Sequence, residues 1–360
     1  MSLSSRQAYL PRHTVPISAT VPQVHNASAR PLLKWAGGKR QLLPALRPYY
    51  PADFDRYAEP FTGSGAVFFD LYAAGRLDGR RARLADVNPD LIGCYRTVRD
   101  EADAVIAALS ALEEEHRARG DDCYYEVRDR RFNPARVTLS PGDPAAADRY
   151  TPELAAMLIY LNRTGFNGLF RLNRRGEYNV PAGRYVNPHI CDGAHIRSVA
   201  RALSLKGVTL ECVPFEQVLS EAGAGHFVYC DPPYAPLSRT AAFAHYTAGG
   251  FNDRDQTRLQ ASVLNAARRG AVILLSNSSA PEIVSAYGSR QARAAGLTLQ
   301  YVPARRAINS RSTLRGPVDE LIVTNARSAV APKLRMAKGR LHPAVDPSSV
   351  VATEAGRRRA

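Results

Sequence analysis

The chain has 360 residues, 45% of them hydrophobic, enough for a real core in one large domain or two ordinary ones. A formal net charge of +15, with a pI near 9.9, draws polyanions and makes nucleic acid the leading partner class. Cys94, Cys123, Cys191, Cys212 and Cys230 never approach C-x-x-C spacing, which speaks against a zinc ribbon or a secreted disulfide framework, and no apolar run reaches the ~20 residues of a membrane span.

Residues 1–29 are polar, contain proline and show no period, so a disordered lead-in is expected. Its first residues, MSLSSRQAYLPRHTVP, lack the apolar core of a signal peptide, and a cytoplasmic protein with reduced thiols is expected. RYAEP then reads as a strand and GAVFFDLYAAG as a helix after a glycine turn. RARLADV is a strand carrying Asp86 at its end. From Pro89 to Gly120, Leu and Ala recur at helical spacing with a charged outer face, which predicts one long helix. Residues 94–194 break the rhythm and are dense in Arg, Asn, Gly and aromatics; they read as an inserted, largely helical domain with a basic hairpin or loop near its end.

VTLECV is the next strand, FEQVLSEAG a helix, and HFVYCD another strand. DRDQTRLQASVLNAARRG is an amphipathic helix with an Asp-rich first turn and Gly270 after its last. AVILLSN is a strand and EIVSAYG a helix, and LTLQYVP and DELIVTN are late strands. Residues 327–360 form a basic tail, also expected to be disordered. Alternating strands and helices predict an α/β, doubly wound sheet covered on both faces, built from residues 30–93 and 195–326 around the insert.

Three stretches carry chemistry. In DPPY, Pro232 and Pro233 give up two backbone donors and stiffen the end of a strand, fixing Asp231 relative to Tyr234. A rigid acceptor cluster beside an aromatic, beyond the carboxyl end of a strand, suits a flat molecule bearing an NH2 group. In EPFTGSG, Gly63 and Gly65 sit between a strand and a helix, where backbone can approach a ligand closely. Asp86, at the end of the next strand, either takes ribose hydroxyls or caps the helix that begins at Asn88-Pro89. No G-x-x-x-x-G-K-[ST] occurs, which excludes a P-loop. In KWAGGK, Trp35 is the only tryptophan and stands beside a tight basic glycine turn; its alternative is core packing.

Taken in order, KWAGGK, EPFTGSG, ADVN, GFNGLFR, EYNVPAGRY and DPPY resemble the Dam-type (D12 class, alpha group) S-adenosylmethionine-dependent DNA adenine-N6 methyltransferases, from about Pro31 to Asn325. The resemblance implies a Rossmann-like methyltransferase sheet with an inserted, mainly helical DNA-recognition domain. It implies S-adenosyl-L-methionine held by Trp35, Lys39, Phe61, Gly63, Gly65, Asp86 and Asp231, with no metal, and a catalytic ledge of Asp231, Pro232, Pro233 and Tyr234. Phe166, where close relatives usually carry Tyr, would enter the stack vacated by the target base. Lys34, Asn162, Arg163, Asn167, Leu169, Arg171, Pro181 and Tyr185 would face double-stranded DNA. Lys34, Leu169, Arg171 and Pro181 match family members that read GATC. The basic extensions at both ends fall outside the family pattern. A monomer or weak dimer is expected, and whether a restriction endonuclease partners it stays open. The ledge alone also admits cytosine N4 or a glutamine amide as acceptor, and a catalytically silent nucleic-acid-binding homologue is the reading from another class.

Overall fold

The computed structural model describes residues 29–35, 37–139, 143–235, 251–305 and 317–326. The lead-in up to residue 28 and the tail from 327 lie outside the described residues. Seven strands form one sheet: β1 Arg56–Glu59, β2 Arg81–Asp86, β3 Val208–Cys212, β4 His226–Cys230, β5 Val272–Ser278, β6 Thr298–Arg305 and β7 Pro317–Thr324. These are the seven strands that the alternation predicts. Their order is β3-β2-β1-β4-β5-β7-β6, with the first five parallel and β7 antiparallel to both neighbours.

The central strands are buried on both faces, which is why they read as unbroken apolar runs. Successive residues of β4 alternate between two cores: Phe227 and Tyr229 join one, Val228 and Cys230 the other. β1 does the same with Tyr57 and Ala58.

In chain order the helices are α1 Leu43–Leu46, α2 Ala66–Ala73, α3 Pro89–Asp100, α4 Ala102–Arg119, α5 Asp121–Glu126, α6 Asn133–Thr138, α7 Pro152–Thr164, α8 Gly193–Leu203, α9 Phe215–Glu221, α10 Asp253–Arg268, α11 Pro281–Tyr287 and α12 Arg290–Ala294. The long helix expected over residues 89–120 is therefore two helices, broken at Glu101 (φ −134°, ψ 42°). Both helices pack on α7 and α8, but only α3 also lies on β2 and β3 of the sheet. α10 has the expected acidic first turn, completed by a capping box between Asn252 and Asp255. The short α12 carries no periodic signal long enough to read.

The insert is largely helical. A π-helical turn, Val127–Phe132, joins α5 to α6. The expected boundaries at 93/94 and 194/195 both fall inside helices, α3 and α8. One apolar core runs from the sheet residues Tyr57, Leu84 and Phe227 to Leu109, Leu158 and Val180 of the insert. A buried bidentate ion pair, Arg136 to Asp90 at 2.7 Å for both bonds, fastens α6 to α3. No described helix is long and apolar enough to cross a membrane.

Candidate functional site: the strand-end crevice and the hairpin beside it

From β1 the chain builds outward to β2 and β3, then returns to add β4 on the other side. The loops after β1 and β4 therefore diverge and leave a crevice beyond the carboxyl ends of the strands. EPFTGSG follows β1 and DPPY follows β4, so the topology brings both stretches to that crevice.

The ledge after β4 is held by side chains. Lys39 Nζ lies 2.8 Å from Asp231 Oδ1, and Ser276 Oγ donates to the same oxygen at 2.9 Å. Tyr229 lies 3.1 Å from Ser276 and, because the Ser276 proton points at Asp231, donates its own to Ser276. No hydrogen bond among the described residues occupies Asp231 Oδ2. Burial pushes the Asp231 carboxyl above the ordinary range, opposed by the Lys39 charge and the hydrogen bonds from Lys39 and Ser276. Lys39 is itself buried; Nζ also donates to the Gly37 carbonyl at 2.6 Å and sits 4.3 Å from the Tyr234 ring centroid. Tyr234 donates its hydroxyl to Glu320 Oε2 of β7 at 2.8 Å. Gln256 Nε2 of α10 donates to the Pro233 carbonyl at 3.0 Å, and Ser278 Oγ of β5 to the Ala235 carbonyl at 2.8 Å.

The glycine loop is held by bonds between side chains and backbone. Thr62 Oγ1 is 3.0 Å from the carbonyls of Glu59 and Ala85, which ties the ends of β1 and β2 together. Gly63 and Gly65 have φ of 47° and 67°, left-handed conformations that favour glycine. A Cβ on Gly63 would lie 2.9 Å from Trp35 Cδ1, so the tryptophan packs directly on this loop. Asp86 accepts from Gly63 N at 3.1 Å and Asn88 N at 3.0 Å. Asn88, not Asp86, caps α3, accepting from Asp90 N and Leu91 N. Burial raises the Asp86 carboxyl to about 6 against these hydrogen bonds. Phe61 stacks on Phe215 at 5.3 Å, and Phe251 closes an aromatic trio around them. Beneath the crevice Glu59 is buried with the Tyr57 hydroxyl donating to it at 2.9 Å, and burial drives its carboxyl well above the ordinary range.

The hairpin of residues 165–183 is pinned from behind. Asn162 is 2% exposed, and its amide accepts from Lys34 N while donating to the carbonyls of Lys34 and Gly168. The structure thus puts Asn162 inside, as the clip between KWAGGK and GFNG, and not on a DNA-facing surface. Arg163 also turns inward, its guanidinium donating to the Leu32 carbonyl at 3.3 Å. Gly165 bridges to Ala182, Phe166 N donates to the Pro181 carbonyl, and Tyr124 and Arg128 both donate to the Val180 carbonyl. Asn167 adopts φ 55° at the turn. Phe166, 48% exposed, projects from this frame, and Lys34, Asn167, Arg171, Pro181 and Tyr185 are exposed with it. Leu169 is half-buried. Lys34 Nζ sits 4.7 Å from the Tyr185 ring centroid, and Arg171 donates to Asn179 Oδ1 at 2.8 Å. Trp35 stacks on Phe170 at 5.4 Å, joining the hairpin to the glycine loop.

Lys39 thus meets Asp231, while Trp35 and Asp86 meet Gly63. Sequence reasoning missed Ser276, Ser278, Gln256, Glu320, Phe170 and Phe215. The polar run Ser276-Asn277-Ser278, fully buried at the end of an apolar strand, was the one readable signal. Among the described residues no group of His, Cys, Asp and Glu could hold a metal ion.

The sequence model of a family described as D12 class N6 adenine-specific DNA methyltransferase matches residues 35–301. A Type II methyltransferase of Lactococcus lactis subsp. cremoris is 35% identical over 303 residues, covering 84% of this chain and 98% of that protein. A Type II methyltransferase of Methanocaldococcus jannaschii is 37% identical over 306 residues, 82% and 99% of the two chains. The DNA adenine methylase of Escherichia coli K12 is 33% identical over 305 residues, 84% and 98%.

Proposed function

The chain belongs to the D12 class of N6 adenine-specific DNA methyltransferases, and from that premise we propose that it methylates a flipped-out adenine of double-stranded DNA, in the sequence GATC, with S-adenosyl-L-methionine as donor. One observation carries the reading: Asp231 Oδ1 is taken by Lys39 and Ser276, and among the described residues nothing occupies Oδ2, which can accept from a substrate amine.

The crevice fits the donor. The left-handed glycines let backbone approach a ligand, the aromatic trio offers faces for a purine, and Asp86 offers a carboxylate to ribose hydroxyls. When bound, the sulfonium supplies an electrophilic methyl group; the rest falls to the protein. Adenine N6 is a weak nucleophile because its lone pair is delocalised into the ring. Asp231 Oδ2 and the Pro232 carbonyl accept its two hydrogens, which draws nitrogen toward a tetrahedral geometry and aims the lone pair. Positive charge grows on nitrogen as the bond forms, so the carboxylate stabilises the transition state more than the ground state. Asp231 then takes the proton, which the charged nitrogen releases readily. Lys39 and Ser276 keep the carboxylate oriented, so little reorganisation accompanies the step.

Flipping the base costs a few kcal/mol. Tyr234 supplies a stacking face for the extruded ring and Phe166 fills the gap, each worth about 1–3 kcal/mol. Residues 94–194 serve as the recognition domain. Lys34 and Arg171 donate to guanine edges, and Leu169 and Pro181 pack on thymine methyls. The enzyme acts in the cytoplasm as a monomer or weak dimer.

The test is incubation with labelled donor and plasmid, followed by sequencing of modified bases. Methyladenine at GATC, abolished by Asp231→Ala, is the expected result. Methylcytosine would replace the substrate, methyladenine at another motif would overturn the target sequence alone, and no methylation would overturn the reading.

A further inference from the structure

We infer that Glu320 is a positioning residue of this reaction, setting the ring of Tyr234 through the tyrosine hydroxyl. The inference rests on the stacking role given to Tyr234 above. Pro232 and Pro233 stiffen the backbone that leads to Tyr234, but they leave the side chain two torsions of freedom. The hydrogen bond to Glu320 Oε2 at 2.8 Å removes that freedom at the far end of the ring. Glu320 is well placed to do so, because β7 lies between β5 and β6, paired with Ser278 on one side and Val302 on the other. Its backbone is thus fixed in the sheet while its side chain reaches the ledge. Ser276 of β5 does the parallel task for Asp231. The strand pair beside β4 thereby holds both ends of DPPY, the carboxylate from β5 and the aromatic from β7. On this view the Tyr234 hydroxyl is not offered to the base; it is an anchor, and the ring face is the working part. The Glu320 charge also acts on the Asp231 carboxyl, which it pushes upward, so the two carboxylates share one electrostatic neighbourhood.

The experiment compares Glu320→Leu, Glu320→Gln, Tyr234→Phe and the double variant Tyr234→Phe/Glu320→Leu on a duplex oligonucleotide. Turnover, KM for DNA, cofactor affinity by calorimetry and thermal melting are measured for each. Glu320→Leu should lower kcat roughly tenfold or more, the scale of a lost charge-assisted hydrogen bond, with cofactor affinity within about twofold. Tyr234→Phe should do the same, and the double variant should be no worse than either single one. Glu320→Gln keeps an acceptor oxygen and should retain most of the turnover. Parental kcat in Glu320→Leu, losses that multiply in the double variant, or a Gln variant as poor as Leu would each overturn the role. If Glu320→Leu does not fold, Tyr234→Phe decides alone: parental kcat there overturns it. A parental chain that transfers no methyl group to duplex adenine sinks the underlying reading and this role together, whereas an active parent with normal variants sinks this role only.

Discussion

The ledge after β4 and the hairpin of the insert are built in opposite ways. At the ledge, side chains hold side chains: Asp231 rests on Lys39 and Ser276, and Tyr234 on Glu320. At the hairpin the frame is held through its backbone, by Asn162 at Gly168, by Tyr124 and Arg128 at Val180, and by Arg136 at Gly176. Its outward side chains are left exposed. The difference suits the two tasks proposed for them. A reacting carboxylate must be oriented before the substrate arrives. A reading surface needs a rigid backbone carrying side chains free to meet bases and phosphates.

The largest effect should come from the ledge. Asp231→Ala is expected to cost at least about a thousandfold in turnover while the cofactor dissociation constant stays within an order of magnitude. Single-turnover assays and calorimetry check both, and substantial residual turnover would remove Asp231 from its assigned role. The hairpin frame is broken most severely at Arg136. Arg136→Leu leaves Asp90 buried without its partner and should destabilise the fold by about 3–5 kcal/mol, read as a lower urea midpoint. Phe166→Ala touches a projecting side chain instead, so stability should hold. Base flipping should weaken by about 1–3 kcal/mol, seen as reduced 2-aminopurine fluorescence at the target position with unchanged cofactor affinity.

Asp86 gives a smaller, pH-dependent effect. Its folded value of about 6 lies above the ordinary carboxylate range, so in the free protein it adds stability at low pH that is lost as pH rises through about 6. Cofactor hydroxyls favour the ionised form, and affinity should run the other way, weakening about tenfold from pH 7 to pH 5. Titrations in Asp86→Asn should show no such dependence. Arg174→Ala, at an exposed arginine in the turn of the hairpin, should do least: all DNA sequences weaken alike, and the slope of log affinity against log salt falls by about 0.9. A change in sequence preference would mean that Arg174 reads bases.

Much of the site was legible because short stretches bring their own geometry. Two prolines after a strand fix Asp231 against Tyr234 wherever that strand lies, and glycines at 63 and 65 announce left-handed backbone. The seven strands could be read because burial on both faces writes continuous apolar runs. Charge pointed to nucleic acid without any fold at all. The sequence could not tell Asn162 from a DNA contact, since an asparagine before Arg163 reads as polar surface until its two partners, distant Lys34 and Gly168 across a turn, are in place. Nor could it split the helix at Glu101, a position with no breaking residue; there the chain turns between α3, which reaches β2 and β3 as well as α7 and α8, and α4, which packs on α7 and α8. Glu320 and Ser276 follow the ledge by 86 and 45 residues in the chain. The contact of Glu320 exists only because β7 inserts next to β5 and carries a carboxylate back to Tyr234, an arrangement decided by sheet pairing and written in no local pattern.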